Sequence, residues 1–218
     1  MLKNSISMLR KYNKEIKIKI ISVGSSVEID DDNLEVIIKP DNNVYPFPLN
    51  KIHLREIQDE SVLFLDCDTF IFDDVEKIYQ EYQKYDFVAC EDDWAYHKGY
   101  KLEFLTNKTK PFNSGVMFFN NFSHQKIYEN LDKITNDLKF TNPEFWDWLI
   151  KFQWTMDEFV LTKIIDDLQL NHVYFQRKFA YNIKWQEDFE RMKESIVFHS
   201  YTNQWEKAKE RTNNETLY

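Results

Sequence analysis

Glycine is scarce in this chain, at three residues in 218. Loops of the G-x-G-x-x-G and G-x-x-x-x-G-K-[ST] kinds need several glycines in a short window. Neither pattern occurs, which excludes the dinucleotide and P-loop readings. Cysteine is scarcer still, with only Cys67 and Cys90. Two thiols make no disulfide framework, so a reducing, cytoplasmic setting is expected. No run approaches the roughly 20 apolar residues of a membrane span. The opening MLKNSISMLRKYNKEIK is polar and basic without an apolar centre, so no secretory signal is expected. Basic residues are outnumbered, 28 against 37 acidic, for a formal net charge of -9. Nucleic-acid binding rests on basic surface, so nucleic acid is not an expected partner. An anionic ligand held through a metal stays open.

What is present is an ordinary globular composition, 43% hydrophobic and 30% charged, rich in aromatics at 17%. The length suits one core, expected over residues 1–211, with a loose polar tail at 212–218. A helix is expected over 6–12, with Ser5 as its cap. IKIKIISV at 16–23 alternates and reads as a strand, and 34–38 as another. A helix is expected within 46–57. Val62 to Leu65 is a short apolar run, read as a strand buried on both faces. Further helices are expected over 74–85, 124–138, 143–152 and 156–168, and strands over 87–90, 116–119, 173–175 and 196–198. Residues 94–110 stay unassigned. Strands alternating with helices imply an α/β fold with a mainly parallel sheet.

SVLFLDCDTF is the stretch around which the chain is organised. Its apolar run ends in Asp66-Cys67-Asp68, where an open α/β sheet presents its ligand crevice. Side chains at i and i+2 leave a strand on one side, so the two carboxylates can converge on a hard cation such as Mg²⁺ or Mn²⁺. The bland alternative is an acidic loop. His199, at the end of a strand, is either a structural histidine or a third ligand that favours Mn²⁺. Lys51 is either solvated surface or a point charge for a phosphate. Asn113, Ser114 and Gly115 either let a ligand approach the backbone or make an ordinary turn. Asp157-Glu158 opens an apolar helix, where the dipole favours acids in any case. Trp146, Trp148 and Trp154 are core residues or a sugar- or partner-binding patch.

In this order the pieces resemble the glycogenin-like family-eight retaining glycosyltransferases of GT-A fold, with their D-x-D motif. The matching residues are L-x-K-[IL]-H at 49–53, then VLFLDCDT, FNSGV, the Asp157-led helix and the strand ending in His199. The resemblance covers most of residues 5–207. It implies a GT-A sheet flanked by helices, with the family's first strand not in this chain. It further implies a nucleotide-sugar donor, usually a UDP-sugar, with Mn²⁺ (or Mg²⁺) across the diphosphate, and a carbohydrate or glycoconjugate acceptor. By the same resemblance Asp66, Asp68 and His199 are metal ligands and Lys51 contacts the donor. Asn113, Ser114 and Gly115 line the sugar site, and Asp92 and Asp157 are the active-site acids. Two departures stand out: Glu158 replaces the family's glutamine, and HSYTNQWEK replaces its closing His-Gly and Lys-Pro-Trp pattern. Two other readings compete, a non-catalytic nucleotide-sugar-binding module and a sugar-phosphate nucleotidyltransferase. The latter usually needs a Gly-rich N-terminal loop that this sequence lacks.

Overall fold

A computed structural model of the chain describes residues 1–41, 47–91, 110–151, 156–182, 191–200 and 204–214. Helix α1 spans Leu2–Tyr12 and buries Ser5, Ile6, Met8 and Leu9, residues three apart on one face. Ser5 therefore lies inside the helix rather than capping it. Strands β1 (Ile18–Val23) and β2 (Leu34–Lys39) pair in parallel as a two-stranded sheet. A 3-10 segment, Phe47–Glu56, leads to β3 (Val62–Leu65). Strand β4 (Thr69–Ile71), which the sequence pattern did not announce, follows at once, and α2 (Glu76–Tyr82) comes next.

Strand β5 (Phe87–Glu91) and β6 (Phe112–Phe119) form the centre of the fold. Helices α3 (Ser123–Glu129) and α4 (Leu131–Thr141) replace the single helix expected over 124–138. The break falls at Asn130, whose side-chain amide donates to the Lys126 carbonyl at 2.8 Å. An Asn amide competes for backbone groups that a continuous helix would use. Then come α5 (Pro143–Lys151), α6 (Met156–Leu168), β7 (His172–Tyr174), β8 (Ala180–Asn182), β9 (Val197–His199) and α7 (Trp205–Asn214). Helix α7 takes in residues 212–214, which the sequence had suggested as loose tail.

The α/β class holds, with mixed sheets rather than mainly parallel ones. The four-stranded sheet has the order β3-β6-β5-β7, and a three-stranded sheet the order β4-β9-β8. Strand β6 runs antiparallel to both β3 and β5, whereas β5–β7 and β8–β9 are parallel. Strand β3 is thus an edge of its sheet among the described residues, and it is half-buried throughout. An apolar run of four residues fits an edge covered by neighbouring elements as well as it fits a sheet centre.

All eight residues of β6 are buried. Met117 and Phe119 face one core with Ile127, Leu131, Val160 and Ile164 from α3, α4 and α6. Val116 and Phe118 face a second core with Met8, Leu9, Phe70, Ile78 and Phe198. The alternation is that of a strand covered on both sides. Burying one phenylalanine such as Phe119 contributes on the order of 2–3 kcal/mol. Phe112 breaks the alternation by joining the Met117 side. Its parity flips because the pairing with β5 jumps from Ala89↔Met117 to Cys90↔Asn113, leaving residues 114–116 as a bulge on that side. This places Asn113, Ser114 and Gly115 within a strand, not in the turn expected before one.

Candidate metal centre and active site

The ladder between β3 and β6 ends where the acid pair begins. The Asp66 N–H donates to the Gly115 carbonyl at 2.8 Å, one step beyond the Leu65↔Val116 pair. The chain then turns at residues 66–68 into β4, whose Thr69 sits opposite His199 on β9. Asp66, Asp68 and His199 are brought together, with one ligand atom of each within 4.8 Å of the others. His199 Nε2 lies 3.2 Å from Asp68 Oδ1 and 3.8 Å from Asp66 Oδ2. The ring is fixed from behind. Asn182, its partner in the parallel β8–β9 register, accepts from Nδ1–H at 2.9 Å. That bond leaves Nε2 as the nitrogen that could present a lone pair to a cation.

Gly115 serves this histidine. A Cβ built there would overlap the imidazole of His199. The glycine is required by close approach and not by a left-handed backbone. Its neighbours turn to the chain's own acids. Ser114 Oγ donates to Asp157 Oδ2 at 2.6 Å, and Asn113 Nδ2 donates to Glu158 Oε1 at 3.0 Å. Lys51 donates to Asp157 Oδ2 at 2.9 Å, to Ser114 Oγ at 2.7 Å and to the Ser114 carbonyl at 3.0 Å. Its ammonium is also 3.7 Å from Asp66 Oδ2. Six of the expected residues, Lys51, Asp66, Asp68, Ser114, Asp157 and His199, thus form one connected group. Asn113 and Gly115 stand in its wall. Asp92 lies outside the described residues, as does Trp154. Trp148 packs edge-on to Phe159 at 5.8 Å and joins the core, while Trp146 lies under Lys139 at 4.8 Å. Lys207 is exposed on α7.

The electrostatics are those of an acid-rich pocket. Burial works against the charge on Lys51, but Asp157, Asp66 and Glu158 outweigh it and hold the ammonium above the usual lysine range. Burial pushes the Asp66 carboxyl up, helped by Asp68 and Asp157 and opposed by Lys51 and His199. Four carboxyl groups, those of Asp66, Asp68, Asp157 and Glu158, face one lysine and one imidazole. Buried carboxylates in such excess need further positive charge. The donor set of two carboxylates and an imidazole suits Mn²⁺ and accepts Mg²⁺. The residues present therefore fit a divalent cation.

The sequence reading missed Asn182, which carries no motif and is found only through its register with His199. It also missed Ser200, whose Oγ donates to the Asp68 carbonyl at 2.9 Å. Tyr128 was likewise missed. Its hydroxyl is buried without a hydrogen-bond partner among the described residues, and its phenol is pushed up by burial and by Asp157 and Asp66.

No family model matches the chain. General stress protein A of Bacillus subtilis (strain 168) is 24% identical over 160 residues, which are 61% of this chain and 56% of that protein. The chain thus spans little more than half of that relative's length. Solved structures align over more of it. The galactosyltransferase LgtC, in complex with donor and acceptor sugar analogs, superposes with a TM-score of 0.63 at 13% identity, covering 98% of this chain and 91% of LgtC. The glycosyltransferase GlyE of Streptococcus pneumoniae TIGR4 gives 0.56 at 14% identity, over 91% of this chain and 51% of GlyE. Mouse xyloside xylosyltransferase 1 gives 0.52 at 13% identity, over 93% and 91%. With mixed sheets between helices and an acid pair at the mouth of β3, the chain has the GT-A glycosyltransferase fold.

Proposed function

We propose that the chain is a metal-dependent glycosyltransferase of the glycogenin-like family eight. It would move a sugar from a nucleotide-sugar donor, a UDP-sugar, to a carbohydrate or glycoconjugate acceptor with retention. The observation that carries this reading is the convergence of Asp66, Asp68 and His199 beside Lys51 at the mouth of β3. The fold of LgtC, a galactosyltransferase bound to donor and acceptor sugar analogs, supports the substrate class.

Asp66, Asp68 and His199 would hold Mn²⁺ or Mg²⁺. Once bound, the ion supplies Lewis-acid stabilisation of charge on a leaving diphosphate. The bond between sugar C1 and the phosphate oxygen breaks, and its electron pair leaves with the nucleoside diphosphate. The acceptor oxygen bonds to C1 and gives up its proton to the departing diphosphate. Lys51 stands as a fixed positive charge beside the ligands, so it stabilises negative charge without reorganising. Asp157 holds Lys51 in place, and its carboxylate, with that of Asp92, favours positive charge developing on the sugar ring. Asn113, Ser114 and Gly115 form the wall of the sugar site. Asn113 orients Glu158, the acid that stands where the family carries an amide.

The test is release of free nucleotide from a panel of nucleotide-sugars with Mn²⁺ added. Turnover is expected with at least one UDP-sugar, and it should fall below detection in Asp68→Ala. Unchanged turnover in a folded Asp68→Ala protein would overturn the metal assignment. UDP binding with no turnover of any donor would favour the non-catalytic binding module.

A further inference from the structure

The turn that carries Asp66 and Asp68 is held through its backbone carbonyls, each of which accepts from a side-chain hydroxyl. The Asp66 carbonyl accepts from Thr69 Oγ1 at 2.9 Å. The Asp68 carbonyl accepts from Ser200 Oγ at 2.9 Å and from the Ser200 N–H at 3.2 Å. The other two carbonyls of the turn face α1. Ser5 Oγ lies 2.9 Å from the Cys67 carbonyl and 2.7 Å from that of Thr69, sharing its one proton between them. Four consecutive carbonyls, from 66 to 69, are thereby satisfied from three directions. Among the described residues, the Ser5 contacts are the ones that tie this turn to α1, across 62 and 64 residues of sequence.

Resting on the metal reading above, we propose that Ser5 is a positioning residue for the metal ligands, by which helix α1 sets the separation of Asp66 and Asp68. The hydroxyl bridges the carbonyls on either side of Asp68, so it fixes the direction in which that carboxylate leaves the chain. Its hydrogen bonds go to backbone carbonyls and not to the side chains of Asp66 or Asp68. Ser5 is 7% exposed, so water does not readily replace it. Without the hydroxyl, two inward carbonyls lose their donor and the turn relaxes to find others. Loss of a group that orients metal ligands typically costs 10–100-fold in metal affinity.

The experiment is Mn²⁺ titration, followed by electron paramagnetic resonance, of the full chain and two variants. Ser5→Ala suits the helix itself, since alanine is the better helix former. It is expected to weaken Mn²⁺ binding about 10-fold or more. Amide exchange at Thr69 and Ser200 should speed up in the metal-free protein. Ser5→Cys, a weak donor of similar size, should follow Ser5→Ala. The control is Asn13→Ala. Asn13 ends α1 and accepts the Val75 N–H at 3.1 Å, so its loss loosens the same helix away from the turn. Asn13→Ala should lower Tm yet leave Mn²⁺ affinity within about twofold, well inside the loss expected for a ligand-orienting group. Unchanged affinity in Ser5→Ala, or an equal loss in Asn13→Ala, would overturn the proposal while leaving the metal site standing. Absence of Mn²⁺ binding in the unaltered chain would overturn the metal reading and this proposal together.

Discussion

Gly115 shows how the site makes room for itself. Its hydrogen occupies the space against which the His199 ring rests. In Gly115→Ala the new methyl and the imidazole cannot both stay. The ring is held by Asn182 and the backbone by Asp66, so the cost falls on His199. Mn²⁺ affinity is expected to drop at least about 10-fold, as for other disturbed metal surroundings. Calorimetric titration checks this, and retained affinity would show that the ring is not a ligand. Lys51 and Asp157 form a second residue-scale test. Asp157 is 2% exposed, and Lys51→Met would leave its charge without that partner. Breaking a buried pair in this way costs about 3–5 kcal/mol. Adding Asp157→Asn should recover part of the loss, so urea unfolding of the single and double variants should reveal coupling. Strict additivity would contradict the pairing. The acids and Lys51 were legible in the sequence because charged residues beside apolar runs stand out. Asn182 and Ser5 were not, because a neutral polar residue reveals its role only through what folding places next to it.

Among the elements, β6 decides the geometry. Its register jump against β5 re-aims Asn113, Ser114 and Gly115 at the acids of α6 and at His199. In sequence the same residues read as a turn, since small polar residues favour turns and bulges alike. The run VLFL reads in sequence as a strand buried on both faces; it is a strand, but among the described residues an edge strand whose four residues are half-buried, because an apolar stretch does not report sheet position. Helix α3 carries a pH-sensitive joint with the chain entering β3. His124 is fully buried, and its Nε2 pairs with the Ile57 carbonyl at 3.0 Å. Burial holds the imidazole below its ordinary value near 6.5, against the pull of Ile57 and Asp59. The folded state therefore binds this proton less readily than the unfolded state. The contribution is fully present above about pH 6.5 and is lost as the pH falls below it. Urea unfolding should show a larger loss of stability between pH 7.5 and 5.5 in the unaltered chain than in His124→Gln. Equal losses would contradict the assignment.

At the scale of the whole molecule, two cores on either face of β6 fix the mouth of β3 between α1 and β9 on one side and α6 on the other. The order of motifs along the chain was enough to indicate this arrangement. Strands deliver the acid pair, Asn113 to Gly115 and His199 to that mouth, the 3-10 segment delivers Lys51 and α6 delivers Asp157, and the shared fold of LgtC and GlyE bears the architecture out. What the order could not give is pairing direction, since a crossover and a hairpin leave similar patterns in a short apolar strand. The mouth carries more negative than positive charge, so a nucleoside diphosphate should bind there only with a divalent cation. The direct measurement is calorimetric titration of UDP into the chain with Mn²⁺ present and with chelator present. The expected result is binding with Mn²⁺, none at millimolar UDP with chelator, and none in Asp68→Ala under either condition. Binding of equal strength with chelator, or no binding with Mn²⁺, would contradict it.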